Sequence, residues 1–262
     1  MTGRGSDHDR SAARVRLSVT GLSKSFGGVQ AIDKVTIAFP ATGIIALIGP
    51  NGAGKTTLFN ILSGFLAPDA GDCRIEGRLT IGMAPHLIAR LGLARTFQHV
   101  RLVRQLSVLD NLCLARPRQA GERILPALTG AWSGSEEPDN RDFARGLLER
   151  LQLRESEDMP AGTLSYGQQK LLALGCCLAM EPTMLLLDEP LAGVHPALAL
   201  VILGIMAEIG KSGNLVIFIE HNLEAVSKVA DEAIIMHRGK VLARGKPADV
   251  LKLPEVVEAY VG

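Results

Sequence analysis

Gly49-Pro50-Asn51-Gly52-Ala53-Gly54-Lys55-Thr56-Thr57 contains a glycine, four residues and then Gly-Lys-Thr, the pattern of a phosphate-binding loop. Each part has a physical reason. Glycines let the backbone curl until successive N–H groups point into one concavity, which binds anions. Lys55 sets a positive charge beside terminal phosphates, and the Thr56 hydroxyl can ligate the Mg²⁺ that accompanies them. The flanks agree. Ile44-Ile45-Ala46-Leu47-Ile48 is an apolar run that predicts a buried strand entering the loop. Leu58, Ile61, Leu62 and Phe65 recur at helical spacing and predict a helix leaving it with one face packed. That helix aims its N-terminal N–H groups and positive dipole end at the phosphates. The stretch points to a nucleotide ligand.

The rest of the chain narrows the class. Its 262 residues suffice for one large or two small domains with a sizeable core. Lys plus Arg number 28 against 27 Asp plus Glu, so no global field draws the chain onto nucleic acid or a membrane surface. Aromatics make up only 4%, too few for a base-stacking platform. Residues 1–14 are polar, lack the apolar stretch of a signal peptide and read as a floppy tail. No stretch approaches the ~20 apolar residues of a membrane span, and the longest candidate, residues 171–187, is broken by Glu181-Pro182. The pattern predicts a soluble, non-secreted chain. Cys73, Cys113, Cys176 and Cys177 lack metal-ligand spacing and read as reduced, mostly buried thiols.

Along the chain, residues 15–22 and 34–39 predict strands separated by a loop holding Phe26-Gly27-Gly28. Residues 68–82, rich in Gly and Asp, read as turns and short antiparallel strands, and residues 93–97 as a strand delivering Gln98. The character then changes. Residues 86–123 carry seven Arg against two acids, and residues 136–158 carry eight acids against four Arg. Phe143, Leu147, Leu148 and Leu151 fall at helical spacing in the second block, with Asp139 or Asn140 as cap and 130–138 as the preceding loop. This middle third reads as a helical insertion. Its charge polarity is that of a solvated face, and it is the first surface to test for docking. Strands at 184–187, 215–219 and 232–236 then alternate with helices at 196–209 and 222–229, which gives a mostly parallel sheet with right-handed crossovers. Arg238-Gly239-Lys240 turns into 241–244, and short helices near Pro247 and Pro254 follow.

Two further stretches carry chemistry. In Leu164-Ser165-Tyr166-Gly167-Gln168-Gln169, Ser165 and Gln168 form a capping box opening a helix that runs to about Met180. An ordinary capped core helix would read the same way. In Met184-Leu185-Leu186-Leu187-Asp188-Glu189-Pro190, an apolar strand ends in paired carboxylates, as a Walker B segment requires. Asp188 can hold Mg²⁺ and Glu189 can polarise an attacking water. Such a pair at a strand end is commonplace alone, but here a phosphate loop precedes it.

Together these stretches resemble the ATP-binding subunit of an ABC transporter. The phosphate loop, LSYGQQ (164–169), LLLDEP (185–190) and Glu220-His221 stand in that family's order from about residue 15 onward. The segments IGPNGAGKTTLFNILSGFLAPDAG (48–71), HLIARLGLARTFQHVRLVRQLSVLDNL (86–112), DEPLAGVHP (188–196) and VVEAYVG (256–262) resemble the subunits that power branched-chain amino acid importers, the LivG type. The resemblance implies an α/β P-loop NTPase fold: a RecA-like mostly parallel sheet, an N-terminal antiparallel β subdomain and an inserted α-helical subdomain. Residues 15–98 and 182–262 would form the ATP-binding core and 99–181 the helical subdomain of one ABC domain.

The resemblance also implies roles. Phe26 would stack on adenine; as a bare sequence position it reads equally as a core loop residue. Residues Gly49, Pro50, Asn51, Gly52, Ala53, Gly54, Lys55, Thr56 and Thr57 would hold the phosphates, and Thr56, Gln98 and Asp188 would hold Mg²⁺. Glu189 would act with Gln98 and His221, Gln98 also sensing the membrane partner. Ser165, Gly167 and Gln168 would meet the γ-phosphate bound on an opposite subunit. The remaining histidines, His8, His86, His99, His195 and His237, read as structural or exposed. Two positions depart from the family pattern: Tyr166 stands where many relatives have Gly, and His195 where Asp is common. The first should leave the phosphate contacts intact; the second bears on coupling between sites. The implied mechanism is a head-to-tail dimer, homo- or heteromeric, sandwiching two ATP molecules. Its closing and opening would drive permease subunits on separate chains, served by a solute receptor, at the cytoplasmic face of the membrane. Rival readings are a lipid or polysaccharide exporter, an ABC ATPase acting on nucleic acid or ribosomes, and a P-loop phosphotransferase. The nucleic-acid class usually carries a long coiled coil or two cassettes per chain, and the phosphotransferase has no use for LSYGQQ or His221.

Overall fold

The computed structural model describes residues 15–97, 101–117 and 136–261. Residues 1–14, 98–100, 118–135 and Gly262 lie outside the described residues, Gln98 and His99 among them. The phosphate loop leaves the strand β3 (Gly43–Ile48), which lies inside a six-stranded sheet. The order is β10-β9-β3-β8-β7-β6, with β6 (Leu93–Arg95), β7 (Met184–Asp188), β8 (Leu215–Ile219), β9 (Glu232–His237) and β10 (Lys240–Gly245). All pairs are parallel except β9 with β10. A second, antiparallel sheet has the order β2-β1-β4-β5, from β1 (Val15–Phe26), β2 (Val29–Pro40), β4 (Ala70–Ile75) and β5 (Arg78–Leu79).

The pleat decides what covers each face. In β3, Ile45 and Leu47 point toward the antiparallel sheet and the helix α1 (Lys55–Leu62), while Ile44, Ala46 and Ile48 point the other way. Strands β7 and β8 alternate likewise, with Leu186 and Ile217 on the first face and Leu187 and Phe218 on the second. A strand buried on both faces must be apolar throughout, which is why these segments read as unbroken runs. The second face is covered by helices. These are α3 (Val108–Ala115), α4 (Glu136–Arg150), α5 (Tyr166–Ala179) and α6 (Pro196–Lys211), and one continuous cluster joins their Leu112, Leu148, Leu171 and Met206 to the sheet. A short α2 (Pro85–Ala89) packs Ile88 on the first face. Beyond β8 come α7 (Leu223–Val229), α8 (Pro247–Val250) and α9 (Pro254–Val261).

Several boundaries differ from those expected. The first two strands are longer and meet at a two-residue turn, Gly27-Gly28, with φ of 53° and 84°. Both turn positions need positive φ, which glycine adopts without strain. Helix α1 stops at Leu62, so Phe65 lies past it, half exposed, with its ring edge-on to Phe97 at 5.2 Å. The stop has a cause: Gly64 has φ of 76°, and a methyl there would meet Ile88 and the Met83 carbonyl at 2.7 and 2.9 Å. Strand β6 ends at Arg95, two residues short of the expected end. Helix α4 starts at Glu136, which makes residues 136–138 helix and puts Asp139 and Asn140 inside it rather than at its cap. Pro138 sits in the first turn, where a proline forfeits no intrahelical bond. Cys73 and Cys177 are buried, and burial raises the pKa of both thiols.

Leu148 is fully buried where α4 meets α3 and α5. Leu148→Ala should lower unfolding stability by about 2–5 kcal/mol, read from the urea midpoint at unchanged slope.

Candidate functional site

The phosphate loop is held by close backbone approach. A methyl on Gly49 would lie 2.2 Å from the Met236 carbonyl oxygen of β9, and one on Gly54 would lie 2.4 Å from the Ala31 carbonyl oxygen of β2. Gly239 N donates to Ala53 O at 3.1 Å, closing the loop against the β9–β10 turn. Asn51 and Gly52 form an exposed crown, Pro50 is half-buried and Ala53 is buried beneath. Helix α1 opens at Lys55 with Gly54 as cap and no side-chain cap, so no side chain competes for its first-turn N–H groups. The Lys55 ammonium, buried at the mouth of the loop, donates to the carbonyls of Gly49 and Pro50 at 2.7 and 2.9 Å. Burial lowers its pKa, and the nearby Glu189 and Asp188 carboxylates oppose that shift. Thr56 is exposed and Thr57 half-buried in the first turn. This donor set fits a phosphate chain.

Asp188 ends β7 beneath the loop, only 4% exposed. Its Oδ2 accepts from Arg95 Nη2 at 3.2 Å, in an ion pair with both side chains almost fully buried. Burial raises the Asp188 pKa, and the guanidinium works against that rise. Arg95 Nη1 also donates to Asn60 Oδ1 and Ser63 Oγ, each at 2.8 Å, and its guanidinium lies 5.0 Å from the Phe97 ring centre. The pair therefore ties β6, β7 and the end of α1 together. Breaking such a buried pair from one side costs about 3–5 kcal/mol. It engages Oδ2, which leaves Oδ1 of Asp188 and the Thr56 hydroxyl as the groups that could ligate a cation. Among the described residues no group of three or more His, Cys, Asp or Glu could hold a metal. A cation here would draw most of its ligands from phosphate and water, as Mg²⁺ does.

Glu189 follows with φ of 49°, a left-handed conformation that strains a residue with a Cβ. Its N–H donates to Ile219 O at 3.0 Å, and its Oε1 lies 3.1 Å from His221 Nε2. The contact follows from register: Asp188 pairs with Ile219 across β7 and β8, so the residues just beyond those strand ends meet. Glu220, 3% exposed, accepts from Leu191 N at 2.7 Å and His221 N at 3.1 Å. Lys55, Asp188, Glu189 and His221 thus gather at the carboxyl ends of three adjacent parallel strands. Crevices at that end are where open α/β sheets bind ligands.

The hydrogen bonds and ring contacts of the other expected residues run to different partners. Ser165 caps α5 through a complete capping box: its Oγ accepts from Gln168 N at 3.3 Å, and Gln168 Oε1 accepts from Ser165 N at 3.0 Å. Ser165 is exposed; Gly167 is buried, and a methyl on it would reach Leu198 at 3.0 Å. Phe26 ends β1 half exposed, not in a core, with Lys24 Nζ 5.6 Å from its ring centre. His195 is exposed and caps α6, its Nδ1 accepting from Ala197 N at 3.3 Å. Sequence reasoning gave no site role to three residues that hold the site together: Arg95, Glu220 and Lys170. Each carried a signal, a charge set in or against an apolar element. Lys170 is the single charge within α5.

The family profile described as ABC transporter matches residues 32–192. The high-affinity branched-chain amino acid transport ATP-binding protein BraF of Pseudomonas aeruginosa is 37% identical, over 95% of this chain and 99% of its own. The probable branched-chain amino acid transport ATP-binding protein LivG of Archaeoglobus fulgidus is 40% identical, over 94% of this chain and 95% of its own. Among solved structures, a nucleotide-free ATP-binding cassette from an ABC transporter superposes with a TM-score of 0.81 at 33% identity, covering 95% of this chain and 99% of that one. An ADP-conformation cassette superposes at 0.80 with 34% identity and the same coverage. With the loop, the paired sheets and the helical layer already in place, these matches establish that the chain belongs to the ABC transporter family, as an ATP-binding cassette.

Proposed function

We propose that this ATPase powers uptake of branched-chain or other amino acids through separate permease subunits, at the cytoplasmic face of the membrane. The observation that carries the hydrolytic half is the gathering of Lys55, Asp188, Glu189 and His221 at neighbouring strand ends. The amino-acid half rests on the relatives, whose names describe branched-chain amino acid transport.

In this reading the loop N–H groups from Gly49 to Thr57 and the Lys55 ammonium grip the β- and γ-phosphates of ATP, and Phe26 covers the adenine. Thr56, Asp188 and Gln98 would hold Mg²⁺, which would supply positive charge to offset that of the phosphates. Glu189 takes the proton of the attacking water, and His221, within hydrogen-bond distance of its carboxylate, orients it and contacts the γ-phosphate. Ser165, Gly167 and Gln168 serve the phosphate of a second cassette, identical or related. The exposed Ser165 at the start of α5 supports that. The permease docks beside Gln98 and the helical layer. There Phe65 and Val103 are exposed and the Arg101 guanidinium lies 3.9 Å from the Phe97 ring centre, an apolar and cationic surface. The buried Asn111 pins that surface, accepting from Val103 N at 2.9 Å and donating to the carbonyls of Val103 and Ser107. A solute receptor outside the membrane joins indirectly.

Lys55→Ala should abolish ATP binding, measured by titration with a fluorescent ATP analogue; undiminished affinity would sink the loop assignment. Glu189→Gln should bind ATP with parental affinity and lose about a hundredfold or more of turnover. It should also shift toward a dimer in ATP on size exclusion. Hydrolysis at the parental rate would remove Glu189 as the base.

A further inference from the structure

The Glu189 backbone is strained, and what holds it comes from the helix that opens at Ser165. Lys170, on the first turns of α5, is only 9% exposed and spends its ammonium on two main-chain carbonyls. It donates to Glu189 O at 2.7 Å and to Ala192 O at 2.6 Å. One turn earlier on the same helix, Tyr166 lies with its ring centre 5.2 Å from Lys170 Nζ. The same ring is packed on Gly193, where a methyl would come within 3.2 Å of it. Gly193 has φ of 69°, so the segment 189–193 contains two left-handed positions, and α5 touches it at both ends.

We propose that Lys170, backed by Tyr166, is a positioning residue that clamps the segment 189–193 and thereby aims the Glu189 carboxylate. The proposal rests on Glu189 being the base. Its physical ground is direct. A left-handed backbone at a residue with a Cβ is strained and persists only where its surroundings over-determine it. Lys170 supplies charge-assisted hydrogen bonds to the carbonyl of the strained residue itself and to a second carbonyl three residues on. Burial lowers the Lys170 pKa, and the Glu220, Glu189 and Asp188 carboxylates oppose that shift. The bulk at Tyr166 gives the ammonium a ring to lie against and the segment a wall. Because one helix carries both Ser165 and Lys170, a displacement of α5 reaches Glu189 through the clamp.

The test is steady-state ATP hydrolysis by the full chain. Lys170→Met should lower kcat between about ten- and a hundredfold at an unchanged KM for ATP. Lys170→Arg, which keeps a cationic hydrogen-bond donor, should recover most of that loss. Thermal unfolding of each variant is followed alongside, and Lys170→Gln carries the comparison if the methionine protein does not fold. Parental kcat in Lys170→Met or Lys170→Gln overturns the clamp, as does a rise in KM at parental kcat, or a loss of kcat that Lys170→Arg leaves unrepaired. Glu189→Gln assayed in the same series keeps the two claims apart. If it is inactive, the base assignment stands and the Lys170 variants decide the clamp; if it hydrolyses ATP at the parental rate, the base assignment falls and the clamp with it.

Discussion

The constraint on which the rest depends is the absence of side chains at Gly49 and Gly54. A β-carbon at either place would overlap a carbonyl oxygen, of Met236 from the parallel sheet or of Ala31 from the antiparallel one. The phosphate loop is therefore where the two sheets come into register with each other. The Gly239–Ala53 hydrogen bond finishes the same contact from the β9–β10 turn. Ligand binding and the docking of the two sheets are one packing problem here. A substitution that loosened the loop would also loosen the interface beneath it.

Around that loop the molecule concentrates charge at a density a stable core would avoid. Asp188 and Glu220 are nearly inaccessible, and Lys55, Arg95 and Lys170 set their charges against these carboxylates and Glu189. Taking so many ions out of water is costly, and fixed partners of opposite charge offset part of that cost. The arrangement gives little net stability compared with apolar packing of the same volume. What it does is hold several carboxylates of like sign at neighbouring strand ends, ready for a polyanion and its cation.

What the sequence made legible follows the range of the interactions involved. The capping box of Ser165 and Gln168 is local and shows directly in the residues, as do the runs of β3, β7 and β8, apolar because both faces are covered. The end of α1 was misread because Phe65 keeps the helical period, while Gly64, which breaks it, is constrained by the distant Met83. The start of α4 was missed because Pro138 looks like a breaker, although the first turn of a helix tolerates it. The Arg95–Asp188 pair joins residues 93 apart in the chain, and no local pattern announces it. Phe26 shows the same limit: the chain order places it at a hairpin tip, but only the fold leaves its ring half uncovered.

The helices beside the sheet share its apolar core, with Leu112, Leu148 and Leu171 in one cluster with Leu187 and Phe218. Two bodies joined by a seam could swing freely about it; layers that interdigitate can only slide by small steps, rotamer by rotamer. Any shift of the helical layer against the sheet must therefore repack that shared cluster, so movement at its outer edge and movement at the strand ends are linked by the same side chains.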